Sequence, residues 1–242
     1  ISAPDDAASH SATITAGNAV DLAAGAHWWL KYYLNCSVSW WGDQLDVLPA
    51  PGTPLPALPP SFPSERHTTS YDFRYYMNVC TFGYSTAFWD WPRWEREIDW
   101  MALNGINMPL AFVGQEYVFR QVLQEVGGLS DADIGSFFSG PAVLPWMRMG
   151  NLQGWLGELP LGWIDTHHDL QNKILARMRS LGMKPVLPAF SGLVPAALKQ
   201  KFPGSNFTQS SGWNGLPTTT FLTPTDPLFA RLGAAYVSKQ ID

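Results

Sequence analysis

The sequence contains little charge: Asp, Glu, Lys and Arg make up only 14% of its 242 residues, whereas 46% are hydrophobic. This balance excludes an intrinsically disordered chain and is typical of a globular one with a sizeable core. It has no run of Lys or Arg, and its formal net charge is −5. These absences argue against nucleic-acid binding and against a polybasic membrane patch. Every long apolar run is interrupted well before the roughly 20 residues that a spanning helix needs, so we expect no membrane span.

Cysteine is also scarce, with Cys36 and Cys80 as the two examples. They fall in what we predict to be different domains, and their spacing alone does not predict a disulfide. We therefore expect two free thiols. Metal-ligand spacing is missing as well, because His167 and His168 are adjacent and would point about 100° apart on a helix. We expect neither a metal site nor a cofactor.

Two N-glycosylation sequons are present, at Asn35–Ser37 and Asn206–Thr208. Such triplets fit a protein of the secretory pathway, so Asn35 and Asn206 are candidate glycosylation sites.

Residues 1–48 predict a small α/β domain, which we expect to be truncated at its start. Asn18 is a good N-cap for the amphipathic pattern that follows it. The predicted elements are a strand at 11–15, a helix at 19–34, and a hairpin of strands 37–41 and 44–48 that turns at Gly42–Asp43. Seven of the fifteen residues from Pro49 to Pro63 are proline, so residues 49–70 are interpreted as a stiff linker between domains.

From residue 71 onward the pattern changes to alternating strands and helices. The predicted strands are 75–81, 106–113 and 184–190, and the predicted helices are 89–104, 117–126, 166–181 and 228–240, with a short helix at 195–201. This order is typical of the first three to four βα units of a (β/α)₈ TIM barrel. A whole barrel takes about 250 residues, so we expect this barrel, spanning 71–242, to be incomplete. We expect the missing strands and helices of the barrel to come from a companion chain or from further sequence. We also predict that two or more copies of this chain can assemble.

Acidic residues are frequent on the first helix of this region. Glu95, Glu97 and Asp99 lie near Arg93 and Arg96 in the sequence. Opposite charges at helical spacing predict a solvated face of salt bridges rather than a catalytic site.

Polar side chains follow two of the predicted strands. Asn78 and Cys80 lie near the end of the first strand, and Gln115 and Glu116 follow the second. In alternating α/β folds, ligands bind at this end of the sheet. Glu116 has two interpretations that the sequence does not separate: a carboxylate placed for chemistry, or a charge that complements the dipole of its own helix.

A long excursion at 127–162 is rich in Gly and aromatic residues. Loops of this length inside a compact domain are usually functional. Trp146, Arg148, Asn151 and Trp155 could form a platform for a sugar, since pyranose rings pack on indoles and hydroxyls need polar partners. The alternative is that these tryptophans fill a core under the loop.

Several of these segments together resemble the α-N-acetylglucosaminidases, which are glycoside hydrolases of family 89. The resemblance extends from about residue 11 to the end of the sequence. It is carried by Arg74–Thr81, Tyr84–Ser85, Trp89–Asn107, Gly114–Glu116, Phe137–Ala142, Trp146–Asn151 and Val186–Phe190.

The resemblance implies a small α/β domain followed by a TIM barrel. It also implies release of terminal α-linked N-acetylglucosamine, with retention, from glycans such as heparan sulfate, in a lysosomal, vacuolar or secreted setting. The family carries its two catalytic carboxylates on later barrel strands, so we assign no catalytic residue here and expect the chain alone to be inactive.

The positions that match the sugar subsite are Asn78, Cys80, Tyr84, Trp146 and Trp213, whereas Gln115 and Glu116 are candidates by location only. The alternative is an inactive fragment or pseudoenzyme that binds glycan or protein.

Overall fold

The computed structural model describes residues 12–54 and 64–241. The helices are α1 (Ala19–Tyr33), α2 (Trp91–Leu103), α3 (Gln115–Glu125), α4 (Asp131–Gly135), α5 (Leu144–Arg148), α6 (Leu161–Ser180), α7 (Leu198–Lys201) and α8 (Pro227–Ile241). The strands are β1 (Ser37–Val38), β2 (Asp43–Gln44), β3 (Tyr75–Tyr76), β4 (Met108–Pro109), β5 (Phe207–Gln209) and β6 (Thr220–Leu222). A single π-helical turn, Phe82–Thr86, and a short 3₁₀ turn, Pro141–Val143, complete the set of regular elements among the described residues.

The chain divides into two compact units, and each is built from separate segments. The first comprises Ile1–Tyr76, Trp91–Pro109 and Ile174–Pro185, and the second comprises Met77–Asp90, Leu110–Lys173 and Val186–Asp242. The predicted division into 1–48, 49–70 and 71–242 stays a prediction, and residues 55–63 of the predicted linker lie outside the described residues.

In the first unit, α1 begins where the sequence predicts. The Oδ1 atom of Asn18 accepts a hydrogen bond from the backbone N–H of Asp21 at 2.9 Å, which caps the helix. The predicted strand at 11–15 reduces to one bridge residue, Thr13, among its described residues. The hairpin forms, but its turn is at 39–42 because Ser39 bonds to Gly42 through both backbone and side chain. Asp43 therefore lies in the second strand.

The first unit also contains a parallel strand pair, β3 with β4, connected through α2. The core of this unit is apolar, and the side chains of Trp94, Ile98 and Met101 on α2 are fully buried in it. The first predicted strand, 75–81, is wrong beyond Tyr76. Met77 has a positive φ of 81°, which takes the chain out of the extended conformation.

The prediction of a solvated acidic face on α2 is wrong at Glu97, which is only 1% exposed. Its carboxylate accepts a hydrogen bond from the indole N–H of Trp40 at 3.1 Å and pairs with Arg93 at 3.0 Å. Burial and the nearby Glu97 charge together raise the pKa of Tyr76 to about 12. Asp99 does lie on the surface, where it pairs with Arg177.

In the second unit the ends of two neighbouring strands meet. Leu110 and Val186 form a parallel bridge, and the N–H of Ala111 donates to the carbonyl oxygen of Val186 at 2.9 Å. The rest of the predicted strand 184–190 is irregular, since Pro188 has no N–H to give to a ladder. The described sheets each contain two strands and none of them closes into a barrel.

The excursion at 127–162 is ordered by its own local signals. Ser130 caps α4 in a reciprocal capping box with Asp133. The 3₁₀ turn and α5 follow, and Val143, Leu144 and Met147 are buried. The next helix, α6, begins at Leu161, five residues before the predicted start.

The segment 202–222, for which no helix or strand is predicted, forms the antiparallel hairpin of β5 and β6. Cys36 and Cys80 are both free thiols, as predicted. Among the residues at 12–54 and 64–241, no helix is both long enough and apolar enough to cross a membrane.

Candidate active site

An apolar recess in the second unit is walled by three tryptophans, Trp146, Trp155 and Trp213. Each comes from a different segment: Trp146 from α5, Trp155 from the loop after it, and Trp213 from the connection between β5 and β6. The recess has a volume of about 280 Å³, and its other lining residues are Val143, Leu152, Asn214 and Leu216. Indole faces with few polar groups suit the C–H face of a pyranose ring.

Tyr84 extends this aromatic surface. Its ring meets that of Trp146 edge to face, with 5.5 Å between centroids, and the Tyr84 side chain is 75% exposed. The π-helical turn that carries Tyr84 approaches α5 very closely at Gly83. A β-carbon on Gly83 would lie 2.6 Å from the carbonyl oxygen of Ala142 and 2.9 Å from the Trp146 ring. Only glycine fits between the two segments without a shift.

Asn78 and Cys80 lie on the tight turn before that segment. The Oδ1 atom of Asn78 accepts a hydrogen bond from the backbone N–H of Cys80 at 2.8 Å, which fixes the turn. The Asn78 side chain is exposed and the Cys80 thiol is half-buried. Both are therefore held on a defined backbone while remaining open to a ligand.

Gln115 and Glu116 line a second cavity of about 170 Å³, together with Val79, Arg148 and Tyr236. Glu116 is 3% exposed, and both of its carboxylate oxygens accept hydrogen bonds from Arg148, at 2.8 and 2.9 Å. Burial raises the pKa of Tyr236, the Glu116 charge adding to that effect, so its phenol is neutral at all ordinary pH values. The amide of Gln115 donates to the carbonyl oxygen of Phe112 at 3.3 Å.

Two histidines lie on α6 in the same unit. The ring of His167 stacks on Trp163 at a centroid distance of 3.5 Å, and that of His168 stacks on Tyr117 at 3.9 Å. Burial lowers the pKa of His167, although its hydrogen bond to the carbonyl oxygen of Trp163 opposes that shift. In the described part of the chain, no group of three or more His, Cys, Asp or Glu side chains could hold a metal ion.

Comparison with known proteins identifies the family. The model of the α-N-acetylglucosaminidase (NAGLU) TIM-barrel domain matches residues 74–242, and the model of the N-terminal domain of the same enzyme matches residues 4–57. The chain belongs to the α-N-acetylglucosaminidase family. The resemblance seen in its sequence is thereby confirmed.

Individual members of the α-N-acetylglucosaminidase family agree with this assignment. The human α-N-acetylglucosaminidase is 45% identical over 226 residues, which are 92% of this chain and 29% of that protein. A family 89 glycoside hydrolase from Clostridium perfringens, solved in complex with 2-acetamido-1,2-dideoxynojirmycin, superposes with a TM-score of 0.81 at 34% identity. The alignment covers 92% of this chain and 25% of the bacterial one. The same statistics hold for a form of that enzyme with two glutamates changed to glutamine, bound to its substrate GlcNAc-α-1,4-galactose.

Within this α-N-acetylglucosaminidase-family chain, the predicted site residues fall into three groups. Trp146 and Trp213 share the recess, and Tyr84 is joined to them through Trp146. Gln115 and Glu116 share the second cavity. Asn78 and Cys80 flank Val79, which also lines that second cavity, so the turn that carries them lies beside it.

Sequence reasoning missed two long-range contacts between the segments that carry the site. Thr219 binds the carbonyl oxygen of Gly150, and Arg148 binds Glu116, across separations of 69 and 32 residues. The sequence contains no short-range signal for either contact, because the partners belong to different elements. The sequence predicts Arg148 as a sugar contact, whereas the structure makes it the partner of the buried Glu116 carboxylate.

Proposed function

We propose that this chain supplies the sugar-binding part of a glycoside hydrolase that removes terminal α-linked N-acetylglucosamine. Membership in the family supports a glycoside hydrolase, and the bacterial relative bound to GlcNAc-α-1,4-galactose supports the sugar and its linkage. The observation that carries the proposal is the recess of Trp146, Trp155 and Trp213 beside the exposed ring of Tyr84. Glycans such as heparan sulfate, with a terminal α-linked N-acetylglucosamine, are the substrate class we propose.

Each site residue has a role that suits its chemistry. The aromatic rings of Tyr84, Trp146 and Trp213 would wall the C–H face of the sugar and exclude water from it. The exposed amide of Asn78 would bind ring hydroxyls, since an amide both donates and accepts. Cys80, half-buried on the same turn, would contact the sugar edge. Gln115 would offer a further amide from the second cavity.

A retaining mechanism needs two carboxyl groups about 5 to 5.5 Å apart, one as acid and base and one as nucleophile. Three carboxylates are buried among the described residues. Glu97 and Glu116 each pair with an arginine, and Asp226 accepts hydrogen bonds from the backbone N–H groups of Asn206 and Leu228. Both oxygens of each of these carboxylates are engaged by other groups of the protein, which leaves none of them free to serve as acid or nucleophile. The family resemblance implies catalytic carboxylates on later barrel strands, and on that ground we propose that the pair lies outside these 242 residues and that this chain alone does not turn over.

An assay on 4-nitrophenyl α-N-acetylglucosaminide tests these points. The full-length protein should release nitrophenol, and this chain purified alone should not. Proton NMR of the first-formed sugar should show the α-anomer. The proposal of retention fails if the β-anomer appears first, and the proposal about the catalytic pair fails if the isolated chain is active.

Substitutions in the full-length protein test the site itself. Trp146→Ala should lower kcat/KM by about tenfold or more, since losing one good aromatic contact is worth about 1.4 kcal/mol or more. Asn78→Ala should raise KM without altering the melting temperature. Trp41→Ala is a matched control, because Trp41 is 91% exposed and lines neither cavity. Unchanged kinetics for Trp146→Ala and Asn78→Ala would remove both residues from the site.

A second candidate is a glycan-binding module without hydrolysis. The ion pairs of Glu97 with Arg93 and of Glu116 with Arg148 favour this candidate, because they leave neither carboxylate free for catalysis. Calorimetric binding of N-acetylglucosamine by a full-length protein that shows no turnover would establish it.

We propose a lysosomal, vacuolar or secreted location, with glycans on Asn35 and Asn206. Both side chains are exposed and can therefore accept a glycan. Peptide mapping of the natural protein after enzymatic deglycosylation should show that the peptides containing Asn35 and Asn206 change in mass, because the glycosylated asparagine is converted to aspartate. An unchanged mass would contradict the modification.

A further inference from the structure

Arg148 lies where three segments of the second unit meet. It is the last residue of α5, two positions after Trp146. Its Nε and Nη2 atoms donate to the two carboxylate oxygens of Glu116, in the first turn of α3. Its guanidinium carbon lies 4.4 Å from the centroid of Phe82, the first residue of the π-helical turn that carries Tyr84. One side chain thus contacts the elements that hold both members of the Tyr84–Trp146 pair.

The contacts leave Glu116 little capacity to bind sugar. Both of its oxygens are engaged, and the side chain is almost wholly buried. Among the described residues, the remaining Arg148 nitrogen, Nη1, is buried and has no hydrogen-bond partner. Glu116 is therefore the acceptor on which the guanidinium depends, and removing its charge would leave the cation buried and unpaired.

Helix α5 has five residues and cannot fix its own orientation. A bidentate guanidinium–carboxylate pair is geometrically specific, because two parallel hydrogen bonds fix the plane of the fork. A buried ion pair is weak evidence for stability, since desolvation offsets the attraction, but it can select one arrangement among several. In this chain the arrangement selected is that of α5 against α3 and the π-helical turn.

We propose that Glu116 and Arg148 are positioning residues: together they hold Trp146, and through it Tyr84, in the orientation that receives the sugar. The proposal rests on the function proposed above and deepens it, because it gives Glu116 an indirect role in place of a sugar contact. Replacing either residue should weaken substrate binding by the rings of Trp146 and Tyr84, and so raise KM, more than it lowers kcat.

The test uses Glu116→Gln, Arg148→Lys and Trp146→Ala in the full-length protein with the nitrophenyl substrate. Glu116→Gln should raise KM about tenfold with a smaller change in kcat, and Arg148→Lys should do the same because lysine keeps the charge and loses the fork. In the Trp146→Ala background, Glu116→Gln should add less than twofold. Additive effects would mean that Glu116 acts independently of Trp146 and would overturn the proposal.

A readout without turnover separates this proposal from the proposed function. In protein labelled with 5-fluorotryptophan, the ¹⁹F resonance missing from Trp146→Phe identifies Trp146. Glu116→Gln and Arg148→Lys should shift or broaden that resonance and leave the resonance of Trp41 unchanged. If the wild type shows no hydrolysis while this shift occurs, the proposed function fails and the positioning role stands. The positioning role is overturned if the Trp146 resonance does not move, or if both variants lose their cooperative unfolding transition.

Discussion

The buried hydroxyl of Thr219 donates a hydrogen bond to the carbonyl oxygen of Gly150, with 2.7 Å between the two oxygen atoms. Gly150 follows the helix that carries Trp146, and Thr219 ends the loop that carries Trp213. The bond therefore ties together two walls of the aromatic recess. A β-carbon on Gly150 would meet the Phe221 ring at 2.2 Å, so the two segments are also in close steric contact.

Thr219→Val should destabilise the protein by about 1–3 kcal/mol, because it keeps the shape and leaves the Gly150 carbonyl oxygen without this donor in a buried site. It should also raise KM for the nitrophenyl substrate, since Trp213 loses its tether. Urea denaturation and steady-state kinetics measure the two effects. Thr219→Ser keeps the hydroxyl and should recover most of both. A valine variant as stable as the serine one would contradict the assignment.

Gly83→Ala should destabilise the protein by about 1–3 kcal/mol, because the added methyl group would overlap the Ala142 carbonyl oxygen and the Trp146 ring. The matched control is Gly162→Ala in α6, where a β-carbon meets nothing within 4 Å. The control should be neutral or slightly stabilising, since alanine restricts the unfolded chain. Thermal melts distinguish the two, and equal melting temperatures would show that the close approach at Gly83 relaxes freely.

Glu97→Gln should cost about 2 kcal/mol, because it removes a buried charge that receives the indole N–H of Trp40 and faces Arg93. Glu95→Gln, at a half-exposed position two residues away, should stay within about 0.5 kcal/mol of the wild type. Urea midpoints at pH 7 compare the two. The burial argument fails if Glu95→Gln proves the more damaging change.

His27 should make stability depend on pH. Its Nδ1 atom contacts the carbonyl oxygen of Leu103 at 2.9 Å, and its Nε2 atom accepts the N–H of Val38 at 3.0 Å. This arrangement requires the neutral ring. Burial lowers the pKa of His27, against a raising effect of the Leu103 hydrogen bond, so the unfolded chain binds the proton more readily than the folded one.

Its contribution is therefore complete above the unfolded pKa of about 6.5 and declines as the pH falls through that value. His27→Gln should be less stable than the wild type at pH 8, and the gap should narrow towards pH 5. Urea midpoints across this range measure the gap. If the gap stays constant with pH, the ring is not held neutral by the fold.

Local patterns in the sequence were sufficient for most helices. The N-cap at Asn18 and the helical pattern at 89–104 place α1 and α2 within a few residues of their observed bounds. Helix signals are local, because capping and periodicity act over one or two turns. The strands were predicted too long, since a strand exists only where a neighbour offers hydrogen-bond partners, and Met77 and Pro188 end those ladders.

By itself, the sequence determined the family and the residue types available for gripping a sugar, among them Asn78, Tyr84 and Trp146. Only the tertiary structure decided how they are held. It buried Glu97 and Glu116 against arginines, and it brought Trp213 beside Trp146 across 67 positions of the chain. The physical reason is that the cost of burying a charge and the contacts of a ring depend on neighbours in space, which no local pattern along the chain records.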